Sequence, residues 1–123
     1  AGAHLSVVTM LRLRDRHGIT PFRGAILTYG IYDLTLTPSA RLWGERNLVL
    51  STPIIQQYCD WYTPSGSARD PDISPMYANL DRLPPALFTV GTMDPLLDDS
   101  LFMARRYVAC GEFPDPHFTR SIR

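Results

Sequence analysis

The chain has 123 residues, of which 45% are hydrophobic, and this is ordinary for one globular domain with a packed core, or for part of one. Its 12 basic residues balance 12 acidic residues, so no excess of positive charge is present to hold a nucleic acid or an anionic membrane. Three arginines that lie close together, Arg12, Arg14 and Arg16, are expected to form a solvated helix face.

The two cysteines, Cys59 and Cys110, lie far apart and lack the spacing of a zinc site. We therefore predict two unpaired core thiols in a reducing compartment, the cytoplasm. No segment reaches the roughly 18 apolar residues of a transmembrane helix, and the first residues lack the plan of a signal peptide. No metal-ligand cluster, phosphate loop or dinucleotide motif is present, so neither a metal nor a cofactor is expected. Because the chain starts at Ala1 rather than methionine, we expect a processing or sequencing boundary there.

The first part of the chain predicts a helix followed by a buried strand. Apolar residues recur at helical spacing from Ala3 to His17, and Gly18 follows where a C-terminal glycine cap belongs. The run Gly24–Gly30 is short, nearly continuously apolar and bounded by glycines. Such a run predicts a parallel strand that is buried on both faces.

The middle of the chain, from Tyr32 to Pro75, contains too many prolines for one regular element. We expect short helices joined by loops, and the strongest helix begins at Thr52-Pro53 and extends to Tyr62. The segment Ser65–Asp72 has the composition of an exposed loop.

The last part predicts a second buried strand, Ala86–Gly91, and a helix that opens at Asp94-Pro95 and extends up to Gly111. Helix, strand, mixed insert, strand and helix describe an α/β protein with crossover connections. Two strands alone make a poor sheet, so we expect an incomplete architecture. The tail, residues 112–123, is predicted to be irregular.

Asp94 is the sharpest candidate for chemistry, because it follows a buried strand at the sheet edge where open α/β folds bind their ligands. An aspartate before a proline is also explained by helix capping, and spacing alone favours capping over catalysis. Both interpretations stay open at this point.

A catalytic carboxylate would need a histidine to orient and a nucleophile for that histidine to deprotonate. His4 and His17 are expected to be surface or capping residues, whereas His117 follows Asp94 in the right order but falls in the irregular tail. No Gly-x-Ser-x-Gly sequence occurs in the 123 residues. The serines are expected to be caps and surface groups: Ser6, Ser39, Ser51 and Ser100.

Five segments, in this order, resemble the hormone-sensitive-lipase-like branch of the α/β hydrolases, and the resemblance extends from Ala1 to about Gly111. The segments are Ala1-Gly2-Ala3-His4-Leu5, Tyr29-Gly30-Ile31-Tyr32-Asp33-Leu34, Asp72-Ile73-Ser74-Pro75 with Ala78, Leu83-Pro84-Pro85-Ala86-Leu87, and Gly91-Thr92-Met93-Asp94-Pro95-Leu96-Leu97-Asp98. The strand followed by Asp-Pro-Leu-x-Asp is the most specific of them.

The resemblance implies a partial α/β-hydrolase domain over residues 1–111, with a cap insert over about residues 34–75 that shapes the acyl pocket. It implies a serine carboxylesterase or lipase that hydrolyses short-to-medium acyl esters through a Ser-His-Asp triad, without metal or cofactor. The implied partner is a small-molecule ester, and no oligomeric state follows. Asp94 matches the triad acid, which raises that role above capping, and one residue can do both.

The other triad members are not matched. Ala1-Gly2 look like the end of the family's Gly-Asp-Ser-Ala-Gly elbow, so the serine would stand just before Ala1, whose backbone N–H would be an oxyanion donor. The family's histidine lies in a His-Gly-Phe motif about thirty residues after the acid, and His117-Phe118 is at best a displaced imitation. We therefore expect an esterase fragment that is inactive alone; the alternative is a noncatalytic remnant acting as a binding module.

Overall fold

A computed structural model describes residues 1–63 and 65–111. In this part of the chain two strands, four α-helices and one 3-10 turn follow one another as the α/β prediction requires. The elements are α1 Gly2–His17, β1 Ala25–Thr28, α2 Pro38–Leu42, α3 Thr52–Tyr62, the 3-10 turn Pro75–Tyr77, β2 Ala86–Thr89 and α4 Leu97–Ala109.

Helix α1 ends as its sequence predicts. Gly18 adopts the left-handed conformation with φ of 65°, and its N–H donates to the carbonyl oxygen of Arg14 at 3.1 Å. Glycine has no Cβ to clash in this conformation, so it is the natural residue after a last helical turn. The turn sends the chain back along α1 toward β1.

Strands β1 and β2 form a parallel pair in which Ala25 is opposite Ala86 and Thr28 is opposite Thr89. The predicted strand type is confirmed, but burial on both faces is wrong for β1. Leu27 is fully buried, whereas Ile26 is 76% exposed. Successive side chains of a strand point to opposite faces. Only the Leu27 face of β1 is covered by elements within the described residues.

The buried apolar side chains form two clusters. The larger joins α1, the two strands and α4, and its centre is Leu27, Phe88, Met103 and Tyr107. The smaller consists of Leu34, Leu36, Ala40, Ile55, Cys59 and Leu96. Five of these six residues lie in the segment predicted to be the cap insert. That segment therefore has a small core of its own, while its role as a cap remains a prediction.

The two cysteines are free thiols, as predicted; Cys59 is buried and Cys110 is half-buried. The arginine face of α1 differs from its prediction. Arg12 donates two hydrogen bonds to the carboxylate of Asp72, at 2.8 and 2.9 Å, and Arg16 donates a third at 3.1 Å. These ion pairs are largely exposed, so each contributes at most about 1 kcal/mol. They fasten α1 to the loop before the 3-10 turn.

Gly30 has no space for a side chain beside the Tyr32 ring. A Cβ there would lie 2.6 Å from Cε1 of Tyr32 and closer still to its Cζ and hydroxyl oxygen. The Tyr32 ring is fully buried and stacks edge-on against Phe88, with ring centroids 6.1 Å apart, so it has little room to move. We expect Gly30→Ala to lower the free energy of unfolding by about 2 kcal/mol, measured by denaturant titration of the 123-residue chain.

Gly2→Ala is the matched control, because a Cβ at Gly2 meets nothing within 4 Å. It should change the free energy of unfolding by less than about 0.5 kcal/mol. Equal stability of the two variants would show that the Tyr32 ring has more freedom than the structure indicates.

Candidate active site

The carboxyl ends of β1 and β2 meet at one edge of the sheet. Pairing continues one residue beyond the strands, where the N–H of Tyr29 donates to the carbonyl oxygen of Thr89 at 3.0 Å. Tyr29 then adopts a positive φ of 50°, which is strained for a bulky residue. At this edge β1 turns into the segment that leads to α2, and β2 turns into the loop that carries Asp94.

The Asp94 side chain is half-buried and is held by its own loop. Its Oδ1 accepts a hydrogen bond from the N–H of Leu96 at 2.8 Å, and its carbonyl oxygen accepts one from the N–H of Leu97 at 3.1 Å. This turn delays α4, which begins at Leu97 rather than at the predicted Asp94-Pro95. Asp94 thus shapes the loop before α4, but it is not the N-cap that the capping interpretation predicted, because Leu96 occupies that position and its side chain makes no capping hydrogen bond.

The second carboxylate oxygen of Asp94 is available. Within residues 1–63 and 65–111, Oδ2 accepts no hydrogen bond. A carboxylate that uses one oxygen to shape its loop can still accept a proton-bearing group with the other. Shaping the loop and taking part in catalysis are therefore compatible at this residue.

A cleft of about 410 Å³ opens beside Asp94. Its lining is mainly apolar, and Asp94 is the one charged side chain among the described residues that form it. The lining residues are Tyr29, Leu48, Val49, Leu50, Gly91, Met93, Asp94, Pro95 and Leu96. An apolar cleft with one oriented polar group is the usual form of a small-molecule site.

Asp99 is the buried carboxylate that sequence reasoning missed. Its side chain is fully buried in the first turn of α4. Burial raises its pKa to about 6, although hydrogen bonds from the N–H groups of Tyr32 and Asp33 and from the Thr37 hydroxyl act to lower the pKa. The signal was present in the spacing, since Asp99 lies four residues before Met103 and eight before Tyr107, on the buried stripe of α4.

Asp98 and Ser39 join the beginnings of α4 and α2 reciprocally. The N–H of Ser39 donates to Oδ2 of Asp98 at 2.8 Å, and the N–H of Asp98 donates to Oγ of Ser39 at 3.0 Å. The same Ser39 hydroxyl donates to the carbonyl oxygen of Pro95 at 2.8 Å. Each side chain satisfies an N–H at the start of the other helix. Ser39 thereby holds Pro95, the residue after Asp94, directly.

His4 is not the surface or capping residue that was predicted. It is 4% exposed, its Nε2–H donates to the carbonyl oxygen of Ile73 at 2.6 Å, and its ring packs edge-on against Tyr62. Burial lowers its pKa. The reason is helical spacing, because position 4 shares a face with the buried Val7 and Val8. His4 is thus a structural residue within the core.

Three candidates from the sequence remain: His17, His117 and Ala1. His17 is exposed, as predicted, and His117 lies outside the described residues. Ala1 is the exposed N-cap of α1, and its carbonyl oxygen accepts from the N–H of Leu5 at 3.0 Å. The oxyanion role of the Ala1 N–H remains a prediction.

The prediction for the serines was partly wrong. Ser6 is exposed and its hydroxyl donates to the carbonyl oxygen of Gly2, and Ser51, although buried, is the N-cap residue of α3 as predicted. Ser100, by contrast, is buried within α4. The Ser100 hydroxyl has no hydrogen-bond partner within the described residues. It lies on the buried side of α4 and not at an exposed strand-to-helix turn, so it has no nucleophilic geometry.

Within residues 1–63 and 65–111, no group of three or more histidine, cysteine or acidic side chains could hold a metal ion. None of the helices in this part of the chain is both long enough and apolar enough to cross a bilayer.

The structure is similar to solved esterases. Crystalline EstE5, soaked with ethyl alcohol, superposes with a TM-score of 0.89 at 28% identity over 99% of this chain and 41% of that one. Crystals of EstE5 have also been soaked with p-nitrophenyl butyrate. A hormone-sensitive lipase from a metagenome library gives a TM-score of 0.86 at 29% identity, over 94% of this chain and 40% of that one.

A curated relative is the esterase of Acinetobacter venetianus strain RAG-1, which is 39% identical over 101 residues, covering 80% of this chain. The present chain spans about a third of the length of that relative, 33%, and about two fifths of the solved structures. A family model described as alpha/beta hydrolase fold matches residues 1–115. The chain therefore belongs to the α/β-hydrolase family, as its five motifs predict, and carries a partial α/β-hydrolase fold.

Proposed function

We propose that this chain contributes the triad aspartate to the active site of a serine carboxylesterase or lipase. One observation carries the proposal. Asp94 lies where β2 ends, on the wall of an apolar cleft, with Oδ1 held by the N–H of Leu96 and Oδ2 without a partner in residues 1–63 and 65–111. The fold supplies this acid at the sheet edge where α/β folds place their ligands.

The chemistry of the proposal follows from what a triad aspartate does. Oδ2 of Asp94 would accept the Nδ1–H of a histidine, hold its tautomer and stabilise the imidazolium that forms when the histidine deprotonates the serine. The aspartate stays ionised throughout. Because the 123 residues contain no Gly-x-Ser-x-Gly sequence, the serine is proposed to come from outside them.

The cleft supports an ester of small or medium acyl chain as the substrate class. Leu48, Val49 and Leu50 give it an apolar wall, and its volume of about 410 Å³ fits a small molecule. These residues lie in the proposed cap insert. Neither a metal nor a cofactor enters the reaction, and the proposed compartment is the cytoplasm.

A chimaera tests the proposal. Residues 1–111 replace the matching segment of EstE5, on which 99% of this chain superposes with a TM-score of 0.89, and hydrolysis of p-nitrophenyl butyrate is followed. We expect saturable turnover by the chimaera and none above an albumin control by the 123-residue chain alone. A folded chimaera without turnover would contradict the proposal, and so would saturable turnover by the chain alone.

A noncatalytic binding module is the second candidate, and the exposed apolar face of β1 favours it. Ile26 is 76% exposed, with Leu5 and Phe22 exposed beside it around one shallow cleft. Such a face usually marks a contact with another protein segment. Turnover by the chimaera that depends on Asp94 would exclude this candidate as the sole function.

A further inference from the structure

We infer that Asp99 is a positioning residue that holds Asp94 in place by fixing the first turn of α4 to the segment from Tyr32 to Thr37. The kinetic part of this inference rests on the proposed hydrolase function. The structural part does not, because it concerns hydrogen bonds within the described residues.

Three hydrogen bonds carry the inference. Oδ1 of Asp99 accepts from the N–H of Tyr32 at 2.6 Å and from the N–H of Asp33 at 2.9 Å, and Oδ2 accepts from the Thr37 hydroxyl at 2.7 Å. We call these three bonds the Asp99 link. Hydrogen bonds to an ionised acceptor are short and strong, and a fully buried carboxylate has no water to replace them.

The Asp99 link reaches Asp94 through a short, well-fastened path. Asp99 lies in the first turn of α4, two residues after the N–H of Leu97 that donates to the Asp94 carbonyl oxygen. On the other side of the turn, Ser39 binds the carbonyl oxygen of Pro95. The loop carrying Asp94 is therefore held at its helical end by two separate attachments to the segment that follows β1.

This arrangement fixes the position of Asp94 relative to the wall of the cleft. The segment from Tyr32 to Thr37 continues from Tyr29, which lines the cleft, and leads through α2 to the wall residues Leu48–Leu50. Releasing the Asp99 link would let the start of α4 move relative to that wall. A triad acid displaced by about 1 Å reduces turnover severely while leaving substrate binding nearly intact.

Amide hydrogen exchange of the 123-residue chain, followed by NMR, tests the link directly. The readout is the exchange rate of the Tyr32, Asp33 and Leu96 amides relative to that of Leu27 in β1. In Asp99→Ala these three amides should exchange about tenfold faster relative to Leu27, because local hydrogen bonds are lost. In Asp99→Asn the ratio should stay near that of the parent, because Oδ1 of asparagine can still accept both N–H groups.

Two further variants keep the test decisive. Thr37→Val removes one bond of the Asp99 link without changing the side-chain shape, and it replaces Asp99→Ala as the test if that variant does not fold. It should increase the exchange rates of the same three amides relative to that of Leu27. Met103→Ala opens a cavity in the same helix, and should accelerate all amides together. Unchanged ratios in Thr37→Val and in any folded Asp99→Ala, or a parent chain whose Leu96 amide is unprotected, would overturn the inference.

Kinetics of the chimaera separate this inference from the proposed function. Asp99→Ala should lower kcat of the chimaera about a hundredfold and leave KM within about twofold of the parent value. Asp99→Asn should have the kcat of the parent. Activity indifferent to Asp94 would refute the proposed function. If the chimaera depends on Asp94 but neither the amide exchange rates nor kcat change when Asp99 is replaced, the positioning role alone is refuted.

Discussion

Replacing Asp94 with asparagine should lower kcat of the esterase chimaera about 10⁴-fold. Asparagine preserves the shape, and its Oδ1 can still accept the N–H of Leu96 that shapes the loop. Its other group is an NH₂ donor, which cannot accept the Nδ1–H of a histidine. The histidine then adopts the wrong tautomer, and the serine loses its general base. The measurement is p-nitrophenyl butyrate hydrolysis with active-site concentration determined by burst amplitude.

Asp60→Asn is the matched control for this variant. Asp60 is an exposed carboxylate on α3 whose hydrogen-bond donor is the Gln56 amide, so the same chemical change should leave the rate unaltered. If Asp94 only shapes the loop before α4, Asp94→Asn should instead cost less than about 1 kcal/mol of stability and leave kcat within tenfold of the parent. That result would remove Asp94 from the triad.

The regular elements could be predicted because local signals agree with one another. The periodicity of α1 and the glycine after it gave both ends within one residue, and the proline at the start of α3 placed that helix correctly. The exposure of Ile26 could not be predicted, since an apolar run shows only that a strand has apolar side chains on both faces. Which faces are covered depends on neighbouring elements.

The site was only half predictable. Asp94 has a local signature, a strand followed by Asp-Pro, and the structure shows it in the loop between β2 and α4, on the wall of the cleft, while its role as the triad acid stays a proposal. Asp99 and His4 belong to no such motif, because their partners lie far away in the chain: Tyr32 is 67 residues from Asp99, and Ile73 is 69 residues from His4. A polar residue on an apolar helix stripe was the available sign in both cases. Long-range hydrogen bonds of this kind appear only once the fold has assembled.

Asp99→Asn should stabilise the 123-residue chain by about 3 kcal/mol at pH 7. Burial raises the pKa of Asp99 from its ordinary 3.8 to about 6, so ionisation is less favourable in the folded state than in the unfolded one. The nearby carboxylate of Asp33 raises the pKa further. Stability that is fully present below pH 3.8 is therefore lost as the pH rises to 6. Asparagine does not titrate, so the variant keeps this stability.

His4 has the opposite effect on how stability depends on pH. Burial lowers its pKa below 6.5, so its contribution is present above pH 6.5 and is lost as the pH falls. As the pH falls below 6.5, the loss of the His4 contribution opposes the stability gained by protonation of Asp99 in the parent, while Asp99→Asn retains only the His4 effect of the two. Urea unfolding at several pH values should show stability rising with pH in Asp99→Asn, and rising less, or falling, in the parent. His4→Gln, which can still donate to Ile73, should reduce that rise, and the remainder comes from Asp15 and Asp72, whose pKa values are lowered by their arginine partners. Parallel curves for the parent and Asp99→Asn would show that Asp99 titrates normally, and hence that its burial carries no penalty for charge.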